Sequence, residues 1–64
     1  MRLTARIYGR LSGEYLDTYT FANSSPSDIY DWFTQEFGGA DEFGGGYECR
    51  VFDERGEPLA DFAI

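Results

Sequence analysis

Histidine and lysine do not occur in this 64-residue chain, and cysteine occurs once. Each absence removes a class of chemistry. With Cys49 as the only thiol, no intramolecular disulfide can form. Without histidine, a zinc site, which needs about four N or S ligands, cannot be assembled. A Ser or Cys nucleophile has no His or Lys to serve as its base. No apolar run approaches the ~20 residues of a membrane span, and there is no secretory signal pattern. A lone cysteine also suits a reducing compartment. These absences lead to the expectation of a cytoplasmic, non-enzymatic protein without metal or cofactor.

What the chain does have is rings and acid. Six Phe, five Tyr and one Trp make 19% of the residues. Sixty-four residues form one domain, spanning 1–64, that buries only about 60% of its unfolded surface, so aromatic bulk must supply the core. Twelve carboxylates against five arginines give a formal charge of −7. Arg2, Arg6 and Arg10 fall in the first ten residues; from Leu11 onward all twelve acids face only Arg50 and Arg55. Such a surface repels nucleic acid and anionic membrane and favours a basic partner.

The patterning predicts ββαββ. Residues 2–11 alternate, with Leu3, Ala5, Ile7, Gly9 and Leu11 on one side and Arg2, Thr4, Arg6, Tyr8 and Arg10 on the other. Ser12-Gly13 signals a turn, and Glu14–Ala22 a second strand. Two registers compete. A two-residue loop pairs Ile7 with Thr18; a three-residue loop pairs Ile7 with Tyr19 and Ala5 with Phe21. The second buries more ring area and is preferred, although one step of slip exchanges the faces.

Ser25-Pro26-Ser27-Asp28 reads as a helix start: Ser as cap, Pro at the first helical position, and Asp at the positive end of the dipole. Ile29, Trp32, Phe33 and Phe37 recur at helical spacing, and Gly38-Gly39 is a stop, giving a helix over 26–37. The glycine-rich stretch 38–46 is a loop. Tyr47–Phe52 and Leu59–Ile64 form a second hairpin around Asp53-Glu54-Arg55-Gly56, with Ala60, Phe62 and Ile64 meeting Val51, Cys49 and Tyr47. The expected fold is α+β: a four-stranded antiparallel sheet with one helix on one face.

Constellations that carry chemistry are absent or incomplete. Cys49 sits on the core side of its strand, where a thiol behaves as a small hydrophobe. Carboxylate pairs at glycosidase spacing are inevitable among twelve acids, but so short a chain offers little cleft. Asp41-Glu42 lacks EF-hand spacing and falls short of the six to eight oxygen ligands calcium takes. Gly44-Gly45-Gly46 lacks the Lys-Ser/Thr of a phosphate loop. The arginines of the first strand are expected to pair with acids of the second strand or the C-terminal hairpin and to stack on tyrosines.

The acids themselves are the candidate site. Their excess is one-sided rather than interspersed with lysine, unlike a simple solubilising surface. Carboxylates at i, i+3 on a helix lie about 5–6 Å apart, and alternate residues of a strand about 7 Å apart. Both spacings are on the scale of successive phosphates. Asp28, Asp31, Glu36, Asp41 and Glu42 are the expected interface, with Glu54 and Glu57 outlying.

Two resemblances bear on this. Gly13-Glu14-Tyr15-Leu16-Asp17 and Asp53-Glu54-Arg55-Gly56-Glu57-Pro58 resemble the G-x-aromatic-aliphatic-Asp and Asp-x-x-Gly segments of ArdA-type antirestriction proteins, multi-domain DNA mimics of which this chain would match one domain. In size, acidity and ββαββ pattern the whole chain is similar to small phage anti-CRISPR proteins. The anti-CRISPR resemblance, ranked first, implies a monomeric inhibitor in the host bacterial cytoplasm. It would bind a type I Cascade effector and present carboxylates in place of phosphates. The antirestriction resemblance implies a type I restriction enzyme as partner. An adaptor module that binds through its aromatic surface or sheet edge is the alternative, with the acids then only solubilising.

Overall fold

The computed structural model describes residues 2–39 and 45–64. The strands are β1 (Leu3–Gly9), β2 (Tyr15–Phe21), β3 (Tyr47–Phe52) and β4 (Pro58–Ala63), and helix α1 (Pro26–Phe37) lies between β2 and β3 in the chain. They form one antiparallel sheet in the order β2-β1-β3-β4, an α+β fold. The helix covers one face and the other is open. Leu3, Ala5 and Ile7 from β1, Cys49 and Val51 from β3, and Ile29 and Phe33 from α1 are fully buried between the two layers.

The helix begins as its sequence dictates. Ser25 Oγ accepts the Asp28 N–H at 3.2 Å, and Asp28 Oδ2 accepts the Ser25 N–H at 3.0 Å. This reciprocal box satisfies two backbone donors that a helix start otherwise leaves orphaned. Gly38 ends the helix in the right-handed region, φ −63°, its N–H bonded to the Thr34 carbonyl. From α1 the rings fan out to both sides. Trp32 packs edge-on against Tyr19 and Phe21 of β2 at 4.8 and 4.9 Å, and Tyr30 against Phe62 of β4 at 5.0 Å. Phe37 closes the far end against Tyr47, also at 5.0 Å.

The second hairpin pairs as expected. Cys49 is opposite Phe62 and Val51 opposite Ala60, and Tyr47 and Ile64 exchange backbone hydrogen bonds. Gly56 takes the left-handed φ of +84° that its turn requires. Gly46 does so at +76°, and a Cβ there would run into the Ile64 carbonyl.

The first hairpin departs from both expected registers. The Gly9 N–H bonds to the Glu14 carbonyl and the Gly13 N–H to the Gly9 carbonyl, so Arg10–Gly13 form a loop longer than either scheme allowed. Tyr8 then faces Tyr15, but Ile7 faces Asp17, leaving Leu16 outside the ladder. Ala5 consequently pairs with Tyr19 and Leu3 with Phe21, two residues away from the preferred scheme, although the face given to the rings is the expected one.

The extra residue is what turns that face inward. Continued straight from Tyr8–Tyr15, the ladder would carry Leu16, Thr18 and Thr20 onto the helix side. β4 uses the same device. Phe52 faces Pro58, Val51 faces Ala60, and Leu59 is the residue left over. Without it Asp61, not Phe62, would point at the helix. Both leftover leucines sit on edge strands, where bulges also blunt edge-to-edge pairing.

Leu16 is 37% exposed, so Leu16→Ala should cost about 1 kcal/mol or less. Deleting Leu16 should cost several-fold more, because Tyr19 and Phe21 lose their place against Trp32. Urea unfolding followed by the fluorescence of Trp32 reads both; equal small losses would mean that the bulge does not set the faces.

Candidate functional site

The five candidate acids among the described residues occupy three separate regions. Asp28 and Asp31 share the outward side of α1, both exposed, at the i, i+3 spacing of about 5–6 Å. Glu36 is also exposed but lies about 80° round the helix from Asp28 at 3.6 residues per turn, toward β2. Glu54 and Glu57 belong to the β3–β4 turn, at the end of the sheet where α1 starts. Asp41 and Glu42 lie outside the described residues.

These acids also differ in duty. Asp28 is committed to the helix cap. Asp31 accepts nothing through its carboxylate among the described residues, and only its backbone carbonyl takes the Thr34 hydroxyl, at 3.0 Å. Glu54 Oε1 accepts the backbone N–H of Arg2 at 3.3 Å, tying the turn to the start of β1. Asp53, next to it, is the turn's organiser: its Oδ1 accepts the N–H groups of both Arg55 and Glu57, at 2.8 and 2.9 Å.

Sequence reasoning missed one member of the acidic surface. Asp17 sits on the helix side of β2, two residues before Tyr19. Burial first, and then the neighbouring charges of Asp17 and Glu36, push the Tyr19 phenol above its ordinary value. Glu36 therefore groups with Asp17 around Tyr19 rather than with Asp28 and Asp31. The available signal was the i, i+2, i+4 alternation of Asp17, Tyr19 and Phe21.

The arginines fall elsewhere. Arg6 and Arg50 stand directly opposite each other on the open face, across the β1–β3 pair. The Arg50 guanidinium holds Glu48 through two bonds of 3.1 and 3.3 Å and lies 4.4 Å over the Tyr8 ring. Arg6 lies 5.2 Å over the Phe52 ring. Among the described residues Arg50–Glu48 is the only ion pair, so the expected pairing of the β1 arginines with carboxylates is not seen; Arg6 stacks on Phe52 instead. Arg50, and secondarily Asp61, hold the Glu48 carboxyl below its ordinary range. Loss of solvent and the adjacent Glu48 charge push Asp61 up. Glu48 and Asp61 were not among the candidates because their strands had to pair before they met.

Cys49 is fully buried. Burial, with the charges of Asp61 and Glu48 added, raises its thiol to about 11, so no thiolate is available at neutral pH. Among the described residues no three His, Cys, Asp or Glu side chains converge to hold a metal ion, and no helix is long and apolar enough to cross a membrane. Compared with protein-family models, curated proteins and solved structures, the chain matches none.

The division of labour on α1 is testable. Asp28→Ala removes the acceptor of the Ser25 N–H and should lower stability by about 1 kcal/mol, whereas Asp31→Ala should change it by less than about 0.5 kcal/mol. Equal losses in thermal unfolding would show that Asp31 is not free for contact with a partner.

Proposed function

We propose that this chain is a small acidic inhibitor of a bacterial defence complex. In this reading the helix side of the molecule occupies a groove lined by Lys and Arg where that complex grips nucleic acid. The observation that carries the proposal is the sorting of charge. Helix α1 contains no basic residue, its outward side bears Asp28 and Asp31, and all five arginines lie off it. The charged side chains that α1 itself offers a partner are carboxylates alone. Asp17 and Glu36 extend that anionic surface along the β2 edge, and Glu54 and Glu57 extend it at the end where the helix starts.

At its most specific the proposal is that of an anti-CRISPR protein acting on a type I Cascade effector in the host bacterial cytoplasm, as the whole-chain resemblance implies. The carboxylates would block target DNA by standing where its phosphates go. A contact of this kind does no covalent chemistry and works by stoichiometric occupancy. Exposed charges are screened over about 8–10 Å at ordinary ionic strength, so its affinity must fall as salt rises.

The test is the affinity of the chain for a purified type I CRISPR effector across a salt series, with target-DNA binding by the effector measured in parallel. The variant is Asp31→Lys with Glu36→Lys, leaving the cap residue Asp28 intact. The expected result is inhibition of DNA binding, a tenfold or greater loss of affinity between low and high salt, and a comparable loss in the variant. Binding that ignores both salt and the variant would move the contact off the helix. No binding to the effector, with salt-sensitive binding to a type I restriction enzyme, would replace the target and keep the mechanism.

A further inference from the structure

We infer that the open face of the sheet is a separate protein-docking surface, one that takes an extended partner segment carrying a carboxylate two residues from an apolar side chain. The face has an unusual composition for one turned to water. Rings Tyr8 and Tyr15 meet edge-on at 5.9 Å, Phe52 underlies Arg6, and the bulge leaves Leu59 45% exposed beside Pro58. Two shallow depressions lie on it. One, of about 500 Å³, is floored by Phe52, Pro58 and Leu59 and rimmed by Arg50 and Asp61. The other, of about 330 Å³, is bounded by Arg6, Tyr8, Tyr15 and Thr18.

Charge complementarity selects the occupant. Arg50 is already neutralised by a two-point contact with Glu48. The Arg6 guanidinium has a ring beneath it and no carboxylate among the described residues. The face therefore asks for one negative group, at Arg6, and for an apolar group in the hollow between β3 and β4. The Arg6 guanidinium lies 5.2 Å from the Phe52 ring that floors the hollow, so an acid at Arg6 and an apolar group in the hollow stand side by side, within reach of side chains i and i+2 of an extended chain, about 7 Å apart.

A nucleic-acid strand fits worse. Its next phosphate beyond Arg6 would meet Glu48 or Asp61, against a molecule of net charge −7. A segment with a single carboxylate avoids that repulsion and brings apolar bulk that a phosphate backbone does not.

The experiment is selection of random displayed peptides on the immobilised chain, followed by titration of the enriched peptides into isotopically labelled protein. The expected peptides carry Asp or Glu two positions from an aliphatic or aromatic residue, and they shift the amide resonances of Arg6, Arg50, Phe52 and Leu59 but not those of α1. Arg6→Gln should weaken them about tenfold, as should replacing the peptide's acid by its amide. The two changes together should cost little more than one, since a single charge-assisted contact is removed. Arg6 is exposed, so the variant should keep its remaining spectrum.

Enriched peptides without an acid, no enrichment, or shifts confined to α1 would overturn the inference. So would an oligothymidylate that binds the same resonances more tightly than the peptides, or a concentration-dependent dimer of the chain abolished by Arg6→Gln. The inference stands apart from the helix-side reading. Asp31→Lys with Glu36→Lys should leave peptide binding unchanged, and Arg6→Gln should leave the salt-sensitive contact unchanged, so each can fail alone.

Discussion

Tyr19 and Phe21 reach Trp32 because Leu16 is left out of the ladder between β1 and β2, and Phe62 reaches Tyr30 because Leu59 is left out between β3 and β4. A strand has only two faces, and a shift of one residue sends every side chain to the other. With a single helix to cover the sheet, only one assignment of faces buries the rings together. Turn chemistry by itself delivers the opposite assignment in both hairpins. The two bulges correct it, one on each edge strand, and the two-layer packing follows from them.

Those corrections also decide what the surface looks like. Once the rings of β2 and β4 turn inward, Asp61, Glu48, Arg50 and Arg6 share the open face, while Asp17 stays on the helix side next to Tyr19 and Glu36. The molecule thus has two chemically different sides. One is anionic and carries no arginine on its helix. The other is nearly balanced in charge and combines cations with exposed rings. A function based on polyanion mimicry uses the first; a docking function uses the second.

Carboxylates that look alike in composition do different physical work here. Asp28 closes the helix cap, Asp53 organises the β3–β4 turn, Glu48 neutralises Arg50, and Glu54 fastens the start of β1. Asp31 and Glu36 have no such employment among the described residues. A marginal fold tolerates the self-repulsion of a −7 charge more readily when several of its acids make compensating hydrogen bonds. The acids without partners are the informative ones for function.

The sequence alone determined the helix from Pro26 to Phe37, its Ser25 cap, the ββαββ order and the pairing of Cys49 with Phe62, because each rests on local backbone chemistry or an unbroken period. It also determined that Cys49 is core, since its strand neighbours Val51 and Tyr47 share its face. The first hairpin's register was not legible, because a four-residue loop and a bulge together shift it by two residues, and the bulge serves to bring the rings onto Trp32 rather than to satisfy any local pattern. The candidate acids were legible as residues but not as a group. Whether Glu36 keeps company with Asp31 or with Asp17 depends on the direction in which the helix lies across the sheet. The pairing of Arg6 with a ring rather than a carboxylate was decided the same way, by which strand became the neighbour of β1. Those outcomes belong to tertiary structure because they depend on contacts between segments far apart in the chain, which no local pattern encodes.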